Sequence, residues 1–257
     1  MPVCTHSFIL KFVIIMKTIV ILTLALFSIA FVKAQPCVSP NPNLVLNPGF
    51  EFGIPPNGAN GPCGAILTNN VTSWLSLFGN AAPFLTQTAD YFDNTCATMT
   101  QNRFVAMYMG YGGTSATVNF REGIQGRLSN PIQSNSGKYC LSFQIANYTT
   151  FSSSTGTIRM VVYGIKLGGN YTVFNNTPLG ASNMNMIYPS MTKIPLAQFD
   201  ISNIGTTPVF LNKTFNANII PAGSVIDAII ITRSDETSKG VNDFRYILLD
   251  EVVLRRI

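Results

Sequence analysis

The chain has 257 residues, of which 47% are hydrophobic and 11% charged, with 16 basic residues, 11 acidic ones and a single histidine. Residues 1–34 hold Lys11, Lys17, Lys33 and no acid, so the formal charge of +5 falls to +2 once they are set aside. That near balance excludes an electrostatic case for nucleic acid, which needs clustered Lys and Arg along its phosphates. The histidine, His6, lies in the same segment. The remainder therefore offers no imidazole for a Ser-His-Asp triad, a Cys-His pair or a His-ligated metal.

In chain order, the first element is the apolar stretch Phe8–Val32. Read from Met16, it has one lysine, an apolar run and a small residue at Ala34, and Gln35-Pro36 then opens a polar chain. This is the order of a secretory signal peptide, so residues 1–34 are expected to form an N-terminal signal helix with Met16 as its natural start. Read from Met1, the apolar run is long enough to serve instead as an uncleaved anchor. The expected product is a secreted or cell-surface domain over 35–257, with no membrane span after cleavage.

Four cysteines follow, Cys37, Cys63, Cys96 and Cys140, and no two are spaced as Cys-x-x-Cys. In an oxidising compartment an even number at irregular spacing reads as two disulfides rather than a metal site. Three pairings are open, and Cys63–Cys96 with Cys37–Cys140 is preferred. Short β-branched or alternating runs then recur between Gly, Asn, Ser and Pro: Val105–Met109, Ala116–Phe120, Tyr139–Ile145, Thr157–Tyr163, Pro208–Leu211, Val225–Ile231 and Tyr246–Leu254. Each reads as a strand. Arg121–Leu128 reads as a short helix or turn, and Asn183–Lys193 as an irregular excursion. Seven or more strands at this spacing predict an all-β fold, a two-sheet antiparallel sandwich or jelly roll.

The ends of this region, Asn43-Leu44-Val45-Leu46-Asn47-Pro48-Gly49-Phe50-Glu51 and Tyr246-Ile247-Leu248-Leu249-Asp250-Glu251-Val252-Val253-Leu254, resemble those of galactose-binding-like sandwich domains, including many carbohydrate-binding modules. Trp74, Ala89-Asp90-Tyr91-Phe92, Arg121-Glu122-Gly123-Ile124 and Leu128-Ser129-Asn130-Pro131-Ile132 occur in the order seen in a group of secreted proteins common in Bacteroidetes. The resemblance implies that first and last strands lie side by side. It also implies a structural calcium ion held by Glu51 and Asp250 with backbone carbonyls, as suits a hard cation needing six or more oxygens.

The function expected from the resemblance is a secreted, non-catalytic binding or adhesion protein for an extracellular glycan or surface polymer, with no organic cofactor. Tyr108, Tyr111, Tyr148, Tyr171 and Phe174 sit beside Gly, Asn and Thr in expected loops at strand ends, where ligand contacts concentrate. They are the candidate ligand-binding residues. Trp74 is expected in the core, and Arg121 with Glu122 in a structural ion pair or solvated turn. Asp90, Tyr91 and Phe92 could form a ligand-facing trio, although aromatic residues in β proteins are mostly core. Two other functions compete: a structural matrix or surface-assembly protein, and a glycoside hydrolase or lyase drawing two carboxylates from Asp90, Asp93 and Glu122.

Overall fold

The computed structural model describes residues 36–54, 64–66, 71–77, 89–93, 99–110, 122–148, 157–167, 192–202, 204–234 and 244–257. Eleven strands lie among them: β1 (Gly64–Ile66), β2 (Trp74–Ser76), β3 (Asp90–Asp93), β4 (Arg103–Gly110), β5 (Gly123–Gln133), β6 (Lys138–Asn147), β7 (Ile158–Ile165), β8 (Ile194–Ile201), β9 (Val209–Asn216), β10 (Val225–Arg233) and β11 (Phe244–Arg256). They form a six-stranded sheet ordered β1-β3-β4-β11-β6-β9 and a five-stranded sheet ordered β2-β5-β10-β7-β8. Every pairing between them is antiparallel. The expected all-β, two-sheet antiparallel sandwich is the fold. No helix among the described residues is long and apolar enough to cross a membrane.

Alternation along each strand builds the core. Val105, Met107 and Met109 of β4, Leu141, Phe143 and Ile145 of β6, and Ile247 and Leu249 of β11 pack in one buried cluster with Met160 and Val162 of β7 and Ile229 and Ile231 of β10. Trp74 is fully buried in that cluster, as expected. Its indole N–H donates to the Asn47 carbonyl at 2.9 Å, so the ring's polar edge is satisfied, and Phe50 lies 4.9 Å from it between ring centroids.

Arg121–Leu128 is not a helix or turn where it is described: Gly123–Gln133 is a strand paired with both β2 and β10. The two glycines that weaken its strand signal are where neighbours press closest. A β-carbon at Gly126 would lie 2.5 Å from the Trp74 ring, and one at Gly123 only 2.8 Å from Thr232. Packing thus demands glycine in a strand whose local propensity is poor. Asn183–Met191 and Ala116–Phe120 lie outside the described residues, as do residues 1–34, the expected signal segment.

The two ends of the chain do lie together. The Leu44 amide donates to the Leu254 carbonyl at 2.8 Å and the Val252 amide to the Pro48 carbonyl at 2.9 Å. Asn43 ties them further, its side chain donating to the Val252 carbonyl and accepting from the Leu254 amide. The expected Cys37–Cys140 disulfide fastens the same N-terminal segment to β6. Cys63 and Cys96 lie outside the described residues.

Candidate functional site

The six-stranded sheet is apolar on both faces, which singles out its outer one. Residues of β3, β4, β6 and β11 that alternate with the core positions form, together with Met99 before β4, a second cluster of Phe92, Met99, Phe104, Ala106, Ala146, Tyr246 and Leu248, with Tyr108 and Tyr148 partly buried against it. An antiparallel sheet commonly turns such a face to water and fills it with polar residues. Here it carries rings.

Tyr246 sits at the centre. It is opposite Tyr108 in the register of β11 with β4, with ring centroids 6.4 Å apart. Tyr148, just past β6, donates its amide to the Tyr246 carbonyl at 2.9 Å, which sets their rings 6.0 Å apart. Phe92 of β3 completes the group at 5.9 Å from Tyr246 and 6.0 Å from Tyr148. The Phe92–Tyr148 pair meets edge to face and the other three are tilted, at separations favourable for aromatic packing. Tyr246 and Phe92 are buried, while Tyr108 and Tyr148 are half-buried and keep part of their surface accessible.

Two carboxyl groups adjoin the rings. Asp90 lies in β3 opposite Ala106, a side chain small enough for the Tyr246 hydroxyl to reach over and donate to the Asp90 carboxylate. Glu122 enters from the start of β5 in the other sheet. Its carboxylate accepts from the Tyr108 amide at 2.5 Å, its own amide donates to the Tyr108 carbonyl, and its carbonyl accepts from the Thr232 hydroxyl at 2.8 Å. Glu122 is only 3% exposed, so it does not belong to a solvated turn. Arg121 lies outside the described residues.

Burial governs the titration of this group. It pushes the Asp90 carboxyl up to about 6, against the hydrogen bond from Tyr246. Glu122 is pushed well above the ordinary carboxylate range by burial and then by the nearby charge of Asp90, with the Tyr108 amide opposing. Tyr108 rises to about 12 through burial and the Glu122 charge. Tyr246 is raised as well, first by burial and next by Asp90 and Glu122. Two carboxyls and three phenols therefore sit within electrostatic reach of one another, able to accept and donate hydrogen bonds beside apolar ring faces.

The structure thus brings Tyr108 and Tyr148 together, while Tyr111, Tyr171 and Phe174 fall outside the described residues. It also divides the expected trio. Tyr91 points into the core and donates to the Phe50 carbonyl at 2.9 Å, while Asp90 and Phe92 face the other way. Tyr246 was not among the sequence candidates. Its strand is apolar at positions of both parities, so alternation alone does not mark the outward residues.

Glu51 and Asp250 lie near each other at a separate place, where the N-terminal segment meets β11. Asp250 is fully buried and accepts from the Glu251 amide at 2.7 Å and the Gln101 amide at 3.2 Å. Burial pushes its carboxyl up to about 7, helped by the charges of Glu251 and Glu51 and opposed by those two amides. Glu51 accepts from the Arg103 amide at 2.9 Å, and the Arg103 guanidinium donates to the carbonyls of Glu51 and Gly53 at 2.8 and 3.2 Å. Among the described residues no three His, Cys, Asp or Glu side chains are grouped to hold a metal.

No protein-family model and no curated protein sequence matches the chain. Solved structures similar to it include a carbohydrate-binding module specific for non-crystalline cellulose, 11% identical over 85% of this chain and 98% of that one, with a TM-score of 0.41. A cyclase from Fischerella sp. TAU is 15% identical over 82% of this chain and 94% of that one, with a TM-score of 0.46. An arabinose-bound α-L-arabinofuranosidase is 14% identical over 83% of this chain, with a TM-score of 0.46, but the match spans only 26% of that chain. Binding modules and enzymes both occur among these structures, and identities this low assign neither an activity nor a ligand.

Proposed function

We propose that this chain is a secreted, non-catalytic carbohydrate-binding protein whose site is the outer face of the six-stranded sheet around Tyr108, Tyr148 and Tyr246. The observation that carries this reading is the half-buried pair Tyr108 and Tyr148 flanking Tyr246 on a face turned away from the core, with Asp90 and Glu122 beside them. Aromatic faces stack on the C–H surface of a sugar ring, and carboxyl and phenol oxygens bond its hydroxyls. The Cys37–Cys140 bridge supports an oxidising, exported destination. The test is a glycan array with the purified protein and its Tyr148→Ala variant. Saturable binding to a defined sugar, weakened at least about tenfold by the variant, supports the site, given that aromatic anchors carry much of the energy in such contacts. Absence of binding across the array overturns the reading and favours the matrix or surface-assembly role.

The pairing of Asp90 with Glu122 favours one second reading, glycoside cleavage by two carboxyl groups. Release of reducing sugar from a bound glycan, abolished in Glu122→Gln with binding intact, would establish it. A calcium ion at Glu51 and Asp250 is also proposed, as a structural ion joining the chain ends. Mutually repelling acids and the positive φ of Phe50 (56°) and Glu251 (49°) support it. Arg103 already serves the carbonyls of Glu51 and Gly53, so the ion would take its remaining oxygens elsewhere. Thermal melting with calcium and with chelator decides the matter: the proposal expects a lower Tm in chelator, and equal values exclude the ion.

A further inference from the structure

We propose that the glycan recognised at the Tyr108–Tyr148–Tyr246 face carries a free, positively charged amino group, so that the site selects amino sugars over their N-acetylated and neutral counterparts. The inference rests on the carbohydrate reading and narrows its ligand class.

Two features of the site point to a cationic ligand. The first is a pair of acids that no described cation compensates. Glu122 is buried and Asp90 half-buried, and they are close enough for the charge of Asp90 to act on Glu122. Buried carboxylates are ordinarily paired with a cation or neutralised. Here the partners of Asp90 and Glu122 are a phenol and a backbone amide, and among the described residues neither acid meets a Lys or Arg. One oxygen of each, Oδ1 of Asp90 and Oε1 of Glu122, accepts no hydrogen bond from a described residue. A bound ammonium would provide the missing charge and three donors for those oxygens.

The second feature is independent of the acids. Four aromatic rings, Phe92, Tyr108, Tyr148 and Tyr246, lie within about one ring diameter of a neighbour, at centroid separations of 5.9 to 6.4 Å. The negative faces of such rings attract an ammonium group, the more so when water is displaced. The same two features work against a sugar acid, whose carboxylate would meet Asp90, Glu122 and the ring faces with charge of the same sign. Acetylating the amine removes the charge and leaves the sugar ring, so it isolates this contribution.

The experiment is calorimetric titration of the purified protein with tetramers of glucosamine and of galactosamine, each beside its N-acetylated form, in low-salt buffer near neutral pH, where Asp90 is ionised and the amines retain part of their charge. Binding of a free-amine tetramer about tenfold or more tighter than its acetylated form is expected from a charge-assisted, ring-flanked contact. This comparison lies on the ligand and requires no variant. The Asp90→Asn, Glu122→Gln double variant, checked for folding by its melt, should reduce that preference to less than about twofold. Equal binding of the two forms overturns the amine inference and leaves the carbohydrate reading standing. A preference for the acetylated form, or binding to none of the four tetramers, also overturns it, and the glycan array then decides separately whether the carbohydrate reading survives.

Discussion

Mild acid should stabilise this protein, and Asp90 sets a minimum scale for the effect. Burial raises its carboxyl from 3.8 to about 6, with the Tyr246 hydrogen bond acting the other way. The folded chain therefore holds that proton more tightly than the unfolded chain does. The resulting stabilisation is complete below the unfolded value, and it is lost as pH rises through the folded one. Between about pH 7.5 and about pH 5, proton linkage gives about 1.4 kcal/mol for this one group. For a domain of this size that is about 3–6 °C in Tm. Glu122, raised in the same direction, adds to it. Asp90→Asn keeps an oxygen for the Tyr246 hydroxyl but no longer titrates, so its melting profile should be flatter by about that amount. Differential scanning calorimetry across the pH range provides the assay. A Tm that is level or falls on acidification, or an Asp90→Asn profile parallel to that of the unaltered protein, would refute the argument.

Packing and cross-linking give two further expectations. Gly126→Ala places a methyl against the Trp74 ring, with its nearest atom 2.5 Å away, and should cost about 1–3 kcal/mol in chemical denaturation without loss of the fold; an unchanged midpoint would mean that the ring moves freely. Reducing the Cys37–Cys140 bridge, or replacing both cysteines by serine, opens a loop with a sequence separation of 103 and should remove roughly 3–5 kcal/mol, read as a lower Tm under reductant.

Where one strand face was apolar and the other mixed, the sequence made the fold legible. Six of the seven expected strands fall within β4, β6, β7, β9, β10 and β11, apart from end residues such as Thr157 and Pro208. β5 was not legible, because Gly123 and Gly126 answer to Thr232 and Trp74, residues distant in sequence whose approach no local window contains. β8 escaped for another reason. Its buried positions Ile194, Leu196, Phe199 and Ile201 follow strand alternation, but Pro195 and a register shift against β7 break the signal. At the site, Tyr108 and Tyr148 could be picked out from their loop-like neighbours. Tyr246 could not, since the residues that follow it, Ile247, Leu248 and Leu249, are apolar at both parities; Glu122 is among the candidate carboxylates, but its burial and its bond to the Tyr108 amide of the other sheet could not be read locally.

The acids on the outer face bear on whether that face was shaped by stability or by function. A buried carboxyl that repels its neighbour and meets no cation among the described residues weakens the fold at neutral pH, and a neutral residue of the same shape would not. Glu122→Gln tests this directly. Glutamine can still accept from the Tyr108 amide, so near neutrality, where burial and the Asp90 charge penalise the ionised glutamate, the variant should melt at a higher temperature. Near pH 4, where glutamate in the folded chain is already protonated, the difference should shrink towards zero. If affinity for the glycan falls while stability rises, the acid is retained at the expense of stability for the sake of binding, as strained or uncompensated groups at functional sites commonly are. A variant that melts lower at both pH values would instead make Glu122 a structural link between the two sheets, and the amine inference would lose one of its two supports.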